Sequence, residues 1–267
     1  MVGRCLCPAF AILHHLHLTG EFVSKDIRGR FAGSVAGLVW ALIHPMAIIA
    51  VYLFVFSIVL RVQVTVEETG TNSFGLFFLS GFFPWLLFAD GVSRSVGCLV
   101  DNASLITKVV FPVEVLPACV VLSAFVINGT GMVLFLLYLV FQGYIHLSWL
   151  ILLLLIPLQF VFTWGLSSLV ASACVFVRDV RELMGIVLMV WFFATPIIYP
   201  LSMAPKGFRD LLVLNPMGVF ANIYRDALLR HEIDWGSLLY VFAGAVISYG
   251  LGSWFLMRAK PAFGDVL

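Results

Sequence analysis

The amino-acid sequence predicts an all-α membrane protein in which six helices cross the bilayer. The 267-residue chain is 62% hydrophobic and 11% charged, whereas soluble domains have about 45–50% apolar and about 25% charged residues. Its mean hydropathy is +1.09. Six apolar runs are each long enough for a span of about 20 residues, and five of them contain no Asp, Glu, Lys or Arg. These three observations predict an integral membrane protein.

The N-terminal segment, residues 1–36, predicts an amphipathic helix that lies in the membrane interface. Apolar side chains recur at spacings of four or seven residues, at Ile12, Leu16, Val23 and Ile27. Charged residues fall largely on the other faces, which is the pattern of a helix half-immersed in the headgroup region.

The membrane domain is predicted over residues 37–259, followed by a short tail at residues 260–267. The apolar runs within the domain are residues 38–60, 74–96, 115–141, 147–177, 183–201 and 237–257. In the last run Gly244, Ser248 and Gly252 have the spacing that lets membrane helices approach closely.

The distribution of Lys and Arg predicts that both termini face the cytoplasm. With the N-terminus inside, the inner segments hold ten of these residues and the outer segments hold five. Cytoplasmic segments carry an excess of Lys and Arg, so this orientation is favoured.

The polar stretch at residues 94–117 separates the second and third apolar runs and is expected in the cytoplasm. Asn102 and Ser104 are typical of helix starts, and Pro112 would end a helix that begins there. We therefore expect a short helix over residues 102–111, parallel to the membrane surface. One interpretation is that a soluble partner grips this helix and moves the membrane domain through it, and the other is an ordinary connecting loop.

Charged residues are scarce within the predicted spans, which argues against an ion-coupled pump. A charge at mid-bilayer costs about 2.5–3.5 kcal/mol or more, and Asp90, near the inner end of the second run, is interpreted as structural. The densest charged cluster is residues 178–182, which carries both signs and suits salt bridges to a protein surface. No Gly-Lys-Ser/Thr loop for ATP occurs, so energy would have to come from another polypeptide. We predict no catalytic and no metal-binding residues.

The outer segment at residues 200–235 is long for a loop and contains apolar residues at helical spacing. We interpret it as two short helices folded back onto the outer membrane surface, with Pro196 and Pro200 breaking the end of the fifth span. They are either a lid over an exit path or a surface-packed connector.

Several motifs resemble one family of transport proteins and run in order over almost the whole chain. They are residues 26–31, 33–40 with Pro45, 81–85, 102–105 with Lys108, 111–117, 176–180, 195–200 and 215–216. In these motifs the chain resembles the membrane subunit of ABC exporters for polysaccharides and polyol phosphates, the type that exports lipid-linked O-antigen or teichoic acid. Capsule-export permeases are relatives of that type.

The resemblance implies a homodimer in the bacterial inner membrane, joined to two ATPase subunits that bind the ATP and Mg²⁺. No cofactor is expected on this chain. It also implies a coupling helix at residues 102–111. The residues expected to contact the ATPase are Asn102, Ser104, Leu105, Lys108, Phe111, Arg178 and Asp179.

A channel between the two copies, lined partly by aromatic rings, is a further implication, together with helices that guard its outer exit at residues 205–229. Our candidates for the channel lining are Trp40, Tyr52, Phe83, Trp85, Trp191 and Tyr199. Our candidates for the outer gate are Pro196, Pro200, Phe208, Asn215, Pro216 and Phe220.

The function expected from this combination is export of a lipid-linked polysaccharide, driven by ATP hydrolysis on a partner subunit. Two alternatives remain. A permease for a small lipid or a drug would share the fold without a wide channel. A polytopic enzyme acting on a lipid-linked sugar would place its acidic residues at one interface, and residues 178–182 would be the place to look.

Overall fold

The computed structural model describes residues 16–30, 33, 37–108 and 112–267, and these residues form helices and turns with no β-strand. The α-helices are α1 (Leu16–Arg30), α2 (Trp40–Leu53), α3 (Val66–Thr69), α4 (Phe74–Ser95), α5 (Cys98–Asp101), α6 (Ala103–Lys108), α7 (Val115–Phe141), α8 (Leu152–Phe176), α9 (Val180–Phe193), α10 (Lys206–Val213), α11 (Pro216–Arg225), α12 (Trp235–Ala259) and α13 (Phe263–Val266). The all-α prediction is confirmed for this part of the chain.

Four helical segments are long and apolar enough to cross a membrane. They are Phe74–Ser95, Val115–Phe141, Leu147–Phe176 and Trp235–Ala262, which correspond to the second, third, fourth and sixth predicted spans. A helix satisfies all of its backbone hydrogen bonds within itself, and for this reason helices are stable in hydrocarbon. The protein is therefore a multi-pass membrane protein.

The first and fifth predicted spans are less regular. A 3₁₀ turn at Gly37–Val39, α2 and a π-helical turn at Phe54–Val59 together cover the first run. In the fifth run α9 ends at Phe193, earlier than the predicted end at residue 201. The reason is local: Pro196 has no N–H to donate, and proline also disfavours helical geometry in the residue before it.

Helix α4 lies at the centre of the bundle. Phe78 and Phe88 on this helix are fully buried, and α4 packs against α7, α8 and α11. The predicted amphipathic helix is present as α1, which packs on α7 with Val23 and Ile27 half-buried and Lys25 exposed.

Helices α8 and α12 approach each other closely through glycine. A Cβ atom on Gly252 would lie only 1.9 Å from the carbonyl oxygen of Gly165, so neither position has room for a side chain. Ser248 Oγ donates a hydrogen bond to the carbonyl oxygen of Phe162 at 2.8 Å. The spacing of Gly244, Ser248 and Gly252 predicted such a contact, but Gly165 on the other helix was not identified from the sequence.

Both ends of the described chain lie at the same end of the bundle, which we call the α1 face. Phe22 of α1 and Phe263 of α13 pack with one buried cluster that includes Leu99 and Leu116. Lys260 Nζ also pairs with Glu114 Oε1 at 2.6 Å. The predicted tail is therefore folded onto the protein.

Candidate coupling and gating sites

The loop between α4 and α7 contains two short helices where the sequence predicted one. The chain turns at Asn102, whose Nδ2 donates to the carbonyl oxygen of Cys98 at 2.8 Å. This contact ends α5, and α6 begins one residue later at Ala103 and is described as far as Lys108. The predicted helix start at residue 102 is thus corrected by one residue. Phe111, which was also predicted here, lies outside the described residues.

Helix α6 has one face turned outward and one face seated on the protein. Ser104, Thr107 and Lys108 are exposed. Leu105 and Ile106 are half-buried against the cluster that contains Leu99. This arrangement offers a polar surface to a partner and connects that surface mechanically to the bundle.

The turn at residues 178–182 joins α6 in a single surface, which we call the loop surface and define as residues 101–108 and 178–182. Arg181 Nη2 donates to Asp101 Oδ1 at 2.7 Å, and the hydrogen bond and charge of Asp101 raise the pKa of Arg181. The guanidinium lies where a Cβ on Gly97 would be, 1.8 Å from Nη2. The predicted residues Arg178 and Asp179 are exposed on the same turn.

Asp101 and Arg181 were not among the predicted coupling residues, although both stood in stretches that the sequence singled out. The signal available was the presence of opposite charges in two loops predicted on the same side of the membrane. Asp101 and Arg181 are 80 positions apart. Their pairing depends on how α4, α8 and α9 pack, so the sequence alone does not show it.

A polar cluster holds α1 against the bundle. Arg94 and Ser123 both donate to the carboxylate of Asp26. Arg30 Nη1 and Asn128 Nδ2 donate to Asp90 Oδ2 at 2.8 and 2.9 Å. Asp90 is thus an ion-paired structural carboxylate, in agreement with the interpretation preferred from the sequence.

At the opposite face, Asn215 ties the end of α9 to the start of α11. Its Oδ1 accepts hydrogen bonds from Trp191 Nε1 at 2.8 Å and from the backbone N–H of Met217 at 3.0 Å. Its Nδ2 donates to the Ala194 carbonyl oxygen at 3.0 Å and to Thr195 Oγ1 at 2.9 Å. One amide therefore satisfies helix-end groups on both sides of the break in the fifth apolar run.

The remaining predicted gate residues fall into two groups. Pro196, Pro200 and Phe220 are buried, and Pro216 begins α11 next to Asn215. Phe208 lies on α10, and its side chain is outside the described part of the structure.

Arg225, at the end of α11, holds the break in the fifth run from within the protein. Its Nη1 donates to the Pro196 carbonyl oxygen at 2.7 Å, its Nη2 to that of Ile197 at 3.1 Å, and its Nε to that of Phe77 at 3.2 Å. The guanidinium stacks 3.9 Å from the ring centroid of Phe77. Burial lowers the pKa of Arg225 to about 9, which leaves the group charged at neutral pH.

Sequence reasoning missed Arg225, because a single basic residue in an outer segment gives no sign of being buried. A Cβ on Gly81 would lie 2.6 Å from Arg225 Nη2. The glycine of the motif at residues 81–85 therefore makes room for this guanidinium.

The predicted channel aromatics do not form one surface. Phe83 and Trp85 are 2% and 5% exposed and pack on Phe135 and Phe192. They belong to the core of the protomer, and a polymer could touch them only if that core opened. Trp40 is 48% exposed.

The other three candidates are half-buried near the fifth run. Tyr52 packs between Phe78 and Phe192 at centroid distances of 5.3 and 5.5 Å. Tyr199 donates its hydroxyl to the Phe193 carbonyl oxygen at 2.9 Å, and Trp191 is bonded to Asn215 as described above. Within the described ranges, no group of three or more His, Cys, Asp or Glu is placed to bind a metal.

Comparison with known proteins assigns the family. The model of the ABC-2 type transporter family matches residues 19–229. The chain is similar to an O-antigen export system permease protein of Myxococcus xanthus, with 30% identity over 92% of this chain and 93% of the relative. A protein of the same name in Klebsiella pneumoniae is 29% identical over 91% and 92% of the two chains.

A more distant relative is the polysialic acid transport protein KpsM of Escherichia coli, with 24% identity over 85% of this chain and 88% of the relative. The family model covers the chain from α1 to the π-helical turn that follows α11 and ends before α12. The chain belongs to the ABC-2 type transporter membrane proteins.

Proposed function

We propose that this protein is the membrane subunit of an ATP-driven exporter that moves a lipid-linked polysaccharide across the bacterial inner membrane. The observation that carries the proposal is the similarity, over nearly the full length of each chain, to permeases named for O-antigen export and polysialic acid transport. The helices fit a transport role, and the sequence has no nucleotide-binding loop of the Gly-Lys-Ser/Thr type.

ATP hydrolysis is assigned to a partner that binds the loop surface, with two such subunits for two copies of this chain. Lys108 and Arg178 are exposed there, and Leu105 connects the surface to the bundle. The α1 face is then cytoplasmic, in agreement with the distribution of Lys and Arg.

In this proposal the membrane domain has six spans, with α2 and α9 as the first and fifth. Each of these helices has an apolar face that the protomer leaves exposed. Val51 on α2 is 61% exposed and Ile58 on the π-helical turn that continues it is 63% exposed, and Met189 and Val190 on α9 are both 59% exposed. A second copy of the chain would cover part of these faces, and the channel would lie between the copies, with Trp40, Tyr52, Trp191 and Tyr199 as candidates for its lining.

Helices α10 and α11 are proposed as the outer gate. Both follow the break at residues 194–200, and Asn215 and Arg225 fix α11 to it. Movement of α9 would therefore be transmitted directly to α11.

Copurification tests the proposal. The full chain, extracted in detergent after coexpression with the genes next to its own, is expected to retain an ATP-hydrolysing subunit in a one-to-one ratio. Deleting the gene for this chain should remove a surface polysaccharide, and the intact gene should restore it. A chain that purifies without an ATPase, from cells whose surface glycans do not depend on it, would contradict the proposal.

The alternative of a small-lipid exporter is tested in the same strain. Replacing Trp40 and Tyr199 with Ala is expected to reduce export of a long polymer because both side chains are at least partly open to the surface. A small-lipid exporter would keep its activity in these variants.

A further inference from the structure

A cavity of about 380 Å³ lies on the α1 face between α1, the end of α4 and the start of α7. It has an apolar side, formed in part by Leu116 and Val120. Its polar side is formed by Lys25, Asp26, Gly29, Arg30, Arg94 and Asn102.

The charges around this cavity leave a positive excess. Asp26 is bound by Arg94 and Ser123, and Arg30 is paired with Asp90. Lys25 has no carboxylate within bonding distance among the described residues, and its Nζ lies 5.8 Å from the centroid of the Phe22 ring. The cavity is therefore lined by three cationic side chains. Arg30 and Arg94 are each paired with a carboxylate, and Lys25 is not.

The position of the cavity matches the level of lipid headgroups. Arg94 is in the last turn of the span Phe74–Ser95, and Leu116 and Val120 are in the first turns of the span Val115–Phe141. The polar side of the cavity lies at the ends of two spans and suits a lipid headgroup. Its apolar side runs along a membrane helix and suits a lipid chain. Lys and Arg are the side chains that bind phosphate most strongly, and basic pockets between membrane helices bind anionic headgroups.

We propose that this cavity binds the phosphate group of an anionic lipid, with the phosphate between Lys25 and the two arginines and the lipid chain along α7. Two lipids carry this chemistry: a bulk phospholipid such as phosphatidylglycerol, and a polyprenyl phosphate. The inference goes beyond the proposed function, because lipid binding at this site does not require a polysaccharide or an ATPase.

The test is native mass spectrometry of the full chain in detergent, titrated separately with phosphatidylglycerol, phosphatidylethanolamine and polyprenyl phosphate. The wild type is expected to retain one phosphatidylglycerol or one polyprenyl phosphate, in preference to the zwitterionic lipid. The Lys25→Gln variant should lower that retention about fivefold, as expected for one basic residue at a membrane surface. Arg28→Gln is the matched control, since Arg28 is exposed on the same helix and does not line the cavity.

Gly29 offers a second, independent variant. A Cβ at this position meets nothing within 4 Å, so the cavity has room for a side chain. Gly29→Glu is expected to abolish binding by placing a negative charge at the site. Gly29→Gln, which has nearly the same shape, should retain a clear preference for the anionic lipid.

The outcomes distinguish a bulk phospholipid from a polyprenyl phosphate, and they can disprove binding at this cavity. Retention of phosphatidylglycerol identifies a bulk lipid, and retention of polyprenyl phosphate alone identifies a carrier lipid. Equal losses in Lys25→Gln and Arg28→Gln, or equal losses in the two Gly29 variants, would show nonspecific surface attraction and overturn the proposal. Absence of any anionic preference in the wild type would also overturn it.

Discussion

Two polar side chains, Arg225 and Asn215, hold together the segments at the face that contains α11. Arg225 is buried and donates hydrogen bonds to the carbonyl oxygens of Phe77, Pro196 and Ile197. Carbonyl groups in an irregular segment have no helix partner, so a buried guanidinium in their midst satisfies several acceptors at once. Asn215 does the same at the start of α11.

Replacing Arg225 with Met is expected to destabilise the protein by about 3–5 kcal/mol, because buried acceptors lose their donors. Gly81→Ala should be destabilising for a related reason, since its Cβ would meet the guanidinium. Thermal unfolding in detergent measures both effects. Arg230→Met is the control: Arg230 is partly exposed and pairs only with Asp226 among the described residues, so its loss should cost less than that of the fully buried Arg225. Equal midpoints for Arg225→Met and Arg230→Met would contradict the role of Arg225.

His231 is expected to make the stability of the folded protein depend on pH. Its backbone has φ 62°, its Nδ1 is buried without a partner among the described residues, and its ring lies 4.6 Å from that of His146. Burial and then the charge of His146 lower the pKa of His231 from 6.5. The unfolded chain therefore binds this proton more readily than the folded chain, so stability falls as the pH drops below about 6.5.

The variant His231→Asn is expected to lose less stability at low pH than the wild type, because Asn tolerates the left-handed backbone and does not titrate. Unfolding midpoints at pH 7.5 and pH 5.5, compared between variant and wild type, make the measurement. An unchanged difference between the two pH values would exclude His231 as the source.

Among the described glycines, those of α8 and α12 mark the closest approach of one helix backbone to another. Gly252→Ala would place a Cβ 1.9 Å from the Gly165 carbonyl oxygen. Backbone on both sides cannot move away without separating the helices, and overpacking of this kind costs about 1–3 kcal/mol. We therefore expect a lower unfolding midpoint for this variant.

Gly250→Ala is the matched control on the same helix, since its Cβ would meet nothing within 4 Å. Alanine is favoured over glycine in a helix interior by about 0.5–1 kcal/mol, so this variant should be neutral or slightly stabilising. An equal decrease in the unfolding midpoints of both variants would mean that the contact with α8 does not explain the effect of Gly252→Ala.

The ion pair between Asp101 and Arg181 links α6 to α9 across the loop surface. Both side chains are about half exposed, so its loss should change stability by less than about 1 kcal/mol. We expect Asp101→Arg or Arg181→Asp alone to lower export more than it lowers the amount of protein in the membrane. The double exchange should restore export in part, because the pair can form again with its charges reversed. Failure of the double exchange, with the protein present at the normal level, would argue against a transmitting role.

At the scale of the whole molecule, the sequence predicted the fold class, four of the spans and the amphipathic N-terminal helix. Long apolar runs and helical periodicity are local properties, so they can be recognised without knowing the partners. The break at Pro196 is likewise local and was predicted, whereas the placement of Phe83 and Trp85 in the core depends on contacts between distant helices. For the same reason Arg181, Arg225 and Gly165 could not be selected from the sequence.

If the chain works in the proposed exporter, Lys108→Glu and Leu105→Asp are expected to uncouple ATP hydrolysis from transport while the protein stays in the membrane. Lys108 is exposed where the ATPase is proposed to bind, and Leu105 seats α6 on the bundle. ATPase activity of the purified complex and surface polysaccharide of the cells are measured together. Normal export by both variants would contradict the assignment of α6 as the coupling helix.

The contacts of Arg225 have a mechanical consequence for any movement of this face. One guanidinium joins α4, the turn at residues 196–197 and the end of α11, so we expect these three parts to move together. We therefore expect any bending at this face to fall in stretches outside regular helix, such as residues 204–205 and 231–234, and not between the three parts that the guanidinium joins.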